Sequence, residues 1–154
     1  MLDDIDKIPE IDEHIIITNH KFAGIFEEGA SKQSYTKPVT IVDDGTESND
    51  TRLGAVCDLL FAMDKLKIDD DMLVVAADNI LFFSFQEFVD FAKVKGTSCI
   101  MCHEQPSIEK LQRTGVIVLD DNDKVCISPL QRPHYFTSSY TFLFFLKSAT
   151  ALIR

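Results

Sequence analysis

Short apolar runs alternate along the chain with stretches whose apolar positions recur every three or four residues. His14-Ile15-Ile16-Ile17-Thr18 is a β-branched run of the kind that forms a buried strand. Asn19 can cap a helix in which Phe22, Ile25 and Phe26 fall on one face, with Gly29 as its expected end. Residues 39–42, Val-Thr-Ile-Val, predict a second strand, after which Asp44-Gly45 opens a polar loop reaching residue 50. Leu53, Val56, Leu60 and Met63 then recur at helical spacing, and 72–77 is the most apolar strand candidate. Ser84 and Glu87 have capping-box spacing ahead of a helix lined by Phe85, Phe88, Val89 and Ala92. Lys93 and Lys95 suit its last turn and Gly96 its stop. A strand is predicted at 97–101, a short helix from Pro106 with Ile108 and Leu111 inward, a β-hairpin over 116–127, and a final strand at 140–146. Strands separated by helices imply an α/β fold with a mostly parallel, doubly wound sheet.

Composition narrows the functional classes. A chain of 154 residues suits one domain, and 45% apolar residues supply a core. The net charge of −10 argues against a nucleic-acid partner, because a phosphate backbone would be repelled. All 25 acidic residues lie at or before Asp123, so residues 128–154 read as an atypical tail. The acidic N-terminus has no signal-like apolar stretch and no run reaches membrane-spanning length; the expectation is a cytoplasmic protein with reduced thiols.

In sheets of this kind ligands bind outside the carboxyl ends of the strands. That rule singles out Asp78-Asn79, at the end of the most apolar strand. A carboxylate there can hold Mg²⁺ or merely cap the next turn. The loop 43–50 borders the same crevice, either as a site wall or as a solvated acidic loop. Asp69-Asp70-Asp71 reads as a solvated turn, and Arg52 as a solvated helix-start residue that could meet a phosphate. Cys99-Ile100-Met101-Cys102-His103 matches the spacing of a haem attachment motif, but in a strand its two thiols point to opposite faces. Core cysteines are the default there, and Phe82, Phe83, Phe85 and Phe88 read as core. His14, His20 and His134 have no partner that the sequence names.

The ordered segments Thr18-Asn19-His20, Asp44-Gly45-Thr46, Arg52-Leu53-Gly54-Ala55, Val74-Val75-Ala76-Ala77-Asp78-Asn79, Thr114-Gly115-Val116-Ile117 and Asp120 onward together resemble the sugar-phosphate nucleotidyltransferase family, typified by glucose-1-phosphate thymidylyltransferases and uridylyltransferases. The resemblance covers about residues 1–127 in register. It implies a three-layer, Rossmann-like fold and transfer of a nucleotidyl group from a nucleoside triphosphate to a sugar-1-phosphate, with release of pyrophosphate. It further implies Mg²⁺ on Asp78, a nucleotide against Leu53, Gly54 and Asp78, and a sugar phosphate near Gly115, Gln131 and Arg132. Gly54 has a physical rationale in that role, since no Cβ stands between backbone and base. Ala77 replaces a Gly of the family pattern, Thr114 a Tyr, and Gln131-Arg132-Pro133 stands where the family has Glu-Lys-Pro.

The family pattern also includes a strand and a G-x-G-T-R loop followed by a Lys, which this sequence does not contain. The expectation is therefore a domain truncated at its N-terminus, with exposed sheet edges that favour association, as a homo-oligomer or otherwise. A catalytically inactive module that binds a nucleotide weakly, or binds another protein, is the alternative reading.

Overall fold

A computed structural model describes residues 1–48, 50–77, 83–104, 107, 109, 116–117, 119–120, 122, 124–125 and 138–146. The architecture is α/β, with elements in the order α1 (Leu2–Ile5), β1 (His14–Thr18), α2 (His20–Lys32), β2 (Val39–Asp43), α3 (Ala55–Leu66), β3 (Met72–Val75), α4 (Phe85–Lys95), β4 (Cys99–Glu104), β5 (Val116–Ile117) and β6 (Ser138–Leu146). The chain divides into two compact units, one built on Met1–Asp70 and Leu81–Phe91, the other on Asp71–Ile80 and Ala92–Lys147.

In the first unit β1 and β2 pair in parallel, from His14 opposite Val39 to Thr18 opposite Asp43. The ladder runs on at both ends: His14 N–H donates to the Pro38 carbonyl at 2.9 Å, and Asp44 N–H to the Thr18 carbonyl at 3.0 Å. A crossover through a helix is the standard way to join parallel neighbours, and α2 supplies it. Asn19 caps α2 as its sequence suggests, its side chain accepting from Phe22 N–H at 3.2 Å. One expectation for α2 is corrected. The helix passes through Gly29 and ends at Lys32, because Gly29 keeps helical geometry instead of the left-handed turn that a stop requires. Its Phe22, Ile25 and Phe26 face is exposed, and the helix buries the small Ala23 instead. Ile5, Ile8, Val42, Ala62 and Met63 are likewise buried.

α3 begins one residue after Gly54, so Leu53 precedes the helix. It ends on Lys67, which adopts the left-handed conformation at φ 57°. In α4, Phe85, Phe88, Val89 and Ala92 are buried along one face, as their spacing predicts, and Glu87 N–H donates to Ser84 Oγ at 3.3 Å.

In the second unit β6 lies between β3 and β4 and runs antiparallel to both. β3 and β4 therefore point the same way, as an α/β sheet requires, with the final strand interposed. β5 pairs with the start of β6, on the edge that β3 occupies further along. The pairing of β4 with β6 shifts register between Ile100 and Cys102, the mark of a β-bulge. The hairpin predicted over 116–127 is represented by an antiparallel bridge between Leu119 and Val125, with Asp120 Oδ1 accepting from Asn122 N–H and Lys124 N–H across the turn. Pro106, Ile108 and Leu111, on which a further helix is predicted, lie outside the described residues. Among the described residues no helix is long and apolar enough to cross a membrane.

Candidate functional site

The carboxyl ends of β1 and β2 lie side by side, and the chain leaving each is held by the other. From Thr18 the chain enters α2 through Asn19 and His20; from Asp43 it enters the loop 44–54 that leads to α3. His20 N–H donates to the Thr46 carbonyl at 2.9 Å, tying the first turn of α2 to that loop. The ring of His20 completes the tie: Nδ1 donates to Asp43 Oδ2 at 2.6 Å. Asp43 Oδ1 accepts from Gly45 N–H at 2.8 Å, and Asp44 Oδ1 accepts from both the backbone N–H and the hydroxyl of Thr46, at 2.7 and 2.8 Å. Gly45, at φ 75°, supplies the backbone conformation that this pair of aspartate turns needs. Thr46 is buried, so the loop is anchored by a side chain as well as by its backbone. From α3, Lys65 Nζ donates to the Asp43 carbonyl at 3.2 Å.

Charge is set by these contacts. The hydrogen bond from His20, with the Gly45 N–H, lowers the pKa of Asp43, and the Asp43 carboxylate, with a smaller contribution from Glu47, raises that of His20. Burial, the charge of Asp44 and a hydrogen bond with Asp44 push the carboxyl of Asp58, in the first turns of α3, upward. Asp58 Oδ1 is buried and no donor group reaches it. The result is a fixed, mostly acidic wall with one imidazole at its mouth.

Gly54 sits at the end of this wall with φ 89° and ψ 153°, a region that favours glycine. A Cβ built there meets nothing within 4 Å, so the space in front of the backbone is open. No side chain caps α3. Leu53 is exposed beside it, as are Arg52 and Val56. Of the residues singled out from sequence, Leu53 and Gly54 lie in the segment that joins β2 to α3. Asp78, Gly115, Gln131 and Arg132 lie outside the described residues, as do His134 and Phe82.

The histidines were opaque to sequence reasoning, and both described ones near β1 have aspartate partners. His14 Nε2 donates to Asp6 Oδ1 at 2.9 Å, a pairing eight residues apart that no motif announces. His20 with Asp43 is a signal that could have been found, since strand pairing puts residues 18 and 43 opposite one another. Cys99 and Cys102 are free thiols on β4, and among the described residues no three His, Cys, Asp or Glu side chains are grouped to hold a metal. Asp69, Asp70 and Asp71 are exposed, as a solvated turn should be. Half-buried Phe83 meets buried Phe85 with ring centres 5.8 Å apart and planes tilted by 54°.

Residues 7–130 match the family model described as nucleotidyl transferase. No curated protein sequence matches the chain.

Proposed function

From the premise that the chain belongs to the nucleotidyl transferase family, we propose that it transfers a nucleotidyl group from a nucleoside triphosphate to a sugar-1-phosphate. The observation that carries the nucleotide site is Gly54: an open backbone at positive φ, next to a loop held rigid by its own hydrogen bonds. A flat base can approach such a backbone closely, and a loop already ordered costs little further entropy on binding. Leu53 offers the exposed apolar surface that a base would cover.

In the reaction, a phosphate oxygen of the sugar-1-phosphate attacks the α-phosphorus in line. One P–O bond forms, the α–β anhydride bond breaks, and its electron pair leaves with pyrophosphate. The protein's part is positioning and charge balance. Mg²⁺ commonly binds through one or two carboxylates together with the substrate's own phosphates, so Asp78, a hard oxygen donor, fits as its holder without a cage of side chains. Bound there, the ion would neutralise phosphate oxygens. On the sugar-phosphate side the proposal assigns Gly115, Gln131 and Arg132; the guanidinium of Arg132 suits a phosphate.

Calorimetry with UTP, dTTP and CTP, with and without Mg²⁺, on wild type and Asp78→Ala tests the nucleotide site. Binding that requires Mg²⁺ and is lost with Asp78 supports the assignment. Release of pyrophosphate from a nucleoside triphosphate and glucose-1-phosphate tests the acceptor. A folded chain that binds none of the nucleotides would instead be a scaffold for another partner.

A further inference from the structure

We infer that His20 is a phosphate-contacting residue of the nucleotide site, its imidazolium Nε2–H donating to a phosphate oxygen of the bound nucleoside triphosphate. The inference rests on the nucleotide reading above and adds to it a titrating cation. Three observations lead to it. The ring is laid across the carboxyl ends of β1 and β2 by the 2.6 Å bond from Nδ1 to Asp43, and the backbone of the same residue is fixed to Thr46. Its side chain is 63% exposed, so the ring is oriented without being covered. The surroundings are acidic, with Asp43, Asp44, Glu47 and Asp58 all belonging to the wall, and a triphosphate cannot approach that wall without a cation.

The tautomer makes the contact conditional. With Nδ1–H committed to Asp43, a neutral ring presents a lone pair at Nε2, which repels a phosphate oxygen. Protonation converts the same atom into a charged donor, the form that binds phosphate well. Asp43 and Glu47 favour that protonated form. The other charges near the ring are Lys21, next to it on α2 and lying over Phe22, and Lys65 of α3, which contacts the backbone of Asp43. Neither takes the place of Nε2 opposite Asp43.

The test is calorimetric binding of Mg·UTP and Mg·dTTP to wild type, His20→Gln and His20→Arg, near pH 6 and near pH 8.5. The ligand titrates too, so the quantity read is the ratio of each variant's affinity to that of wild type. His20→Gln should bind about three- to tenfold more weakly than wild type on the acid side and equally on the alkaline side. His20→Arg, a permanent cation, should keep its affinity at the alkaline pH. Gln and wild type keeping a constant ratio across pH, or Arg failing to restore binding, would overturn the inference while leaving the nucleotide site standing. If folded wild type binds neither nucleotide at either pH, the site reading itself falls, and this inference with it.

Discussion

Two histidine–aspartate pairs stand at opposite ends of the same strand, six residues apart, and they do different things. At the amino end of β1, His14 and Asp6 have side chains 3% and 10% exposed; at the carboxyl end, those of His20 and Asp43 are 63% and 32% exposed. Asp6 is saturated: besides His14, it accepts from the backbone N–H and hydroxyl of Thr36, both at 2.9 Å, and from Lys37 N–H at 3.3 Å. His14 also meets the edge of Tyr35, with ring centres 6.0 Å apart. That pair staples α1 to the approach into β2 and is enclosed away from solvent. At the other end, among the described residues, only Nδ1 of His20 is bonded. The same two side chains become a structural clamp or a candidate binding group according to how many partners enclose them.

The sharpest way to break this contrast is at the clamp. His14→Ala removes a buried ring and leaves Asp6 short of a donor, and should cost about 3 kcal/mol of stability in denaturant unfolding. The pH dependence should follow Asp6. Its carboxyl is held well below the usual carboxylate range, chiefly by the Thr36 N–H, with His14 and Lys37 adding to the effect. A depressed folded pKa gives stability that is full above the unfolded value, about 4, and is lost as pH falls toward the folded one. Acid unfolding of wild type should therefore steepen below about pH 4, and Asp6→Asn should flatten that limb. An unchanged acid limb in Asp6→Asn would show that the clamp contributes nothing.

At the carboxyl end the largest stability effect should come from the backbone. Gly54→Ala places a Cβ residue at φ 89°, with free space around it, so the cost is conformational strain alone, about 1–2 kcal/mol. The same substitution should weaken nucleotide binding by more than the lost stability explains, if a base lies against that backbone. Equal losses in stability and none in binding would remove Gly54 from the site.

These two ends differ too in how legibly they were written. The strands β1 and β2, the Asn19 cap and the buried face of α4 were readable because each depends on local spacing. That Leu53 and Gly54 fall between a strand and a helix was readable from the same spacing. The antiparallel insertion of β6 was not, because pairing partners far apart in sequence leave no local trace. Nor was the exposure of Phe22, Ile25 and Phe26: a helical stripe says which side chains share a face, not whether anything covers it. The aspartate partners of His14 and His20 come from 8 and 23 residues away, and only the folded sheet brings them together.

A smaller effect concerns Asp58. Its carboxyl is pushed upward by burial and by Asp44, so it destabilises the folded chain when ionised. A raised folded pKa means that stability is full below the unfolded value and is lost as pH rises through the folded one. Asp58→Asn mimics the protonated form and should raise the melting temperature slightly near pH 7, with no gain near pH 3. A loss of stability at neutral pH would mean that the ionised Asp58 has a partner that Asn cannot replace.

The smallest expected change is the most telling for the contrast. His20→Gln should leave the melting temperature where it was, because the ring is largely in water and an exposed ion pair contributes little. Set beside the loss from His14→Ala, that near-silence would show that the bond between His20 and Asp43 orients a side chain rather than holding the fold. If the two substitutions destabilise the protein equally, the pair at the carboxyl end is a second clamp. The contact that His20 offers to phosphate would then have to be read as a by-product of structure.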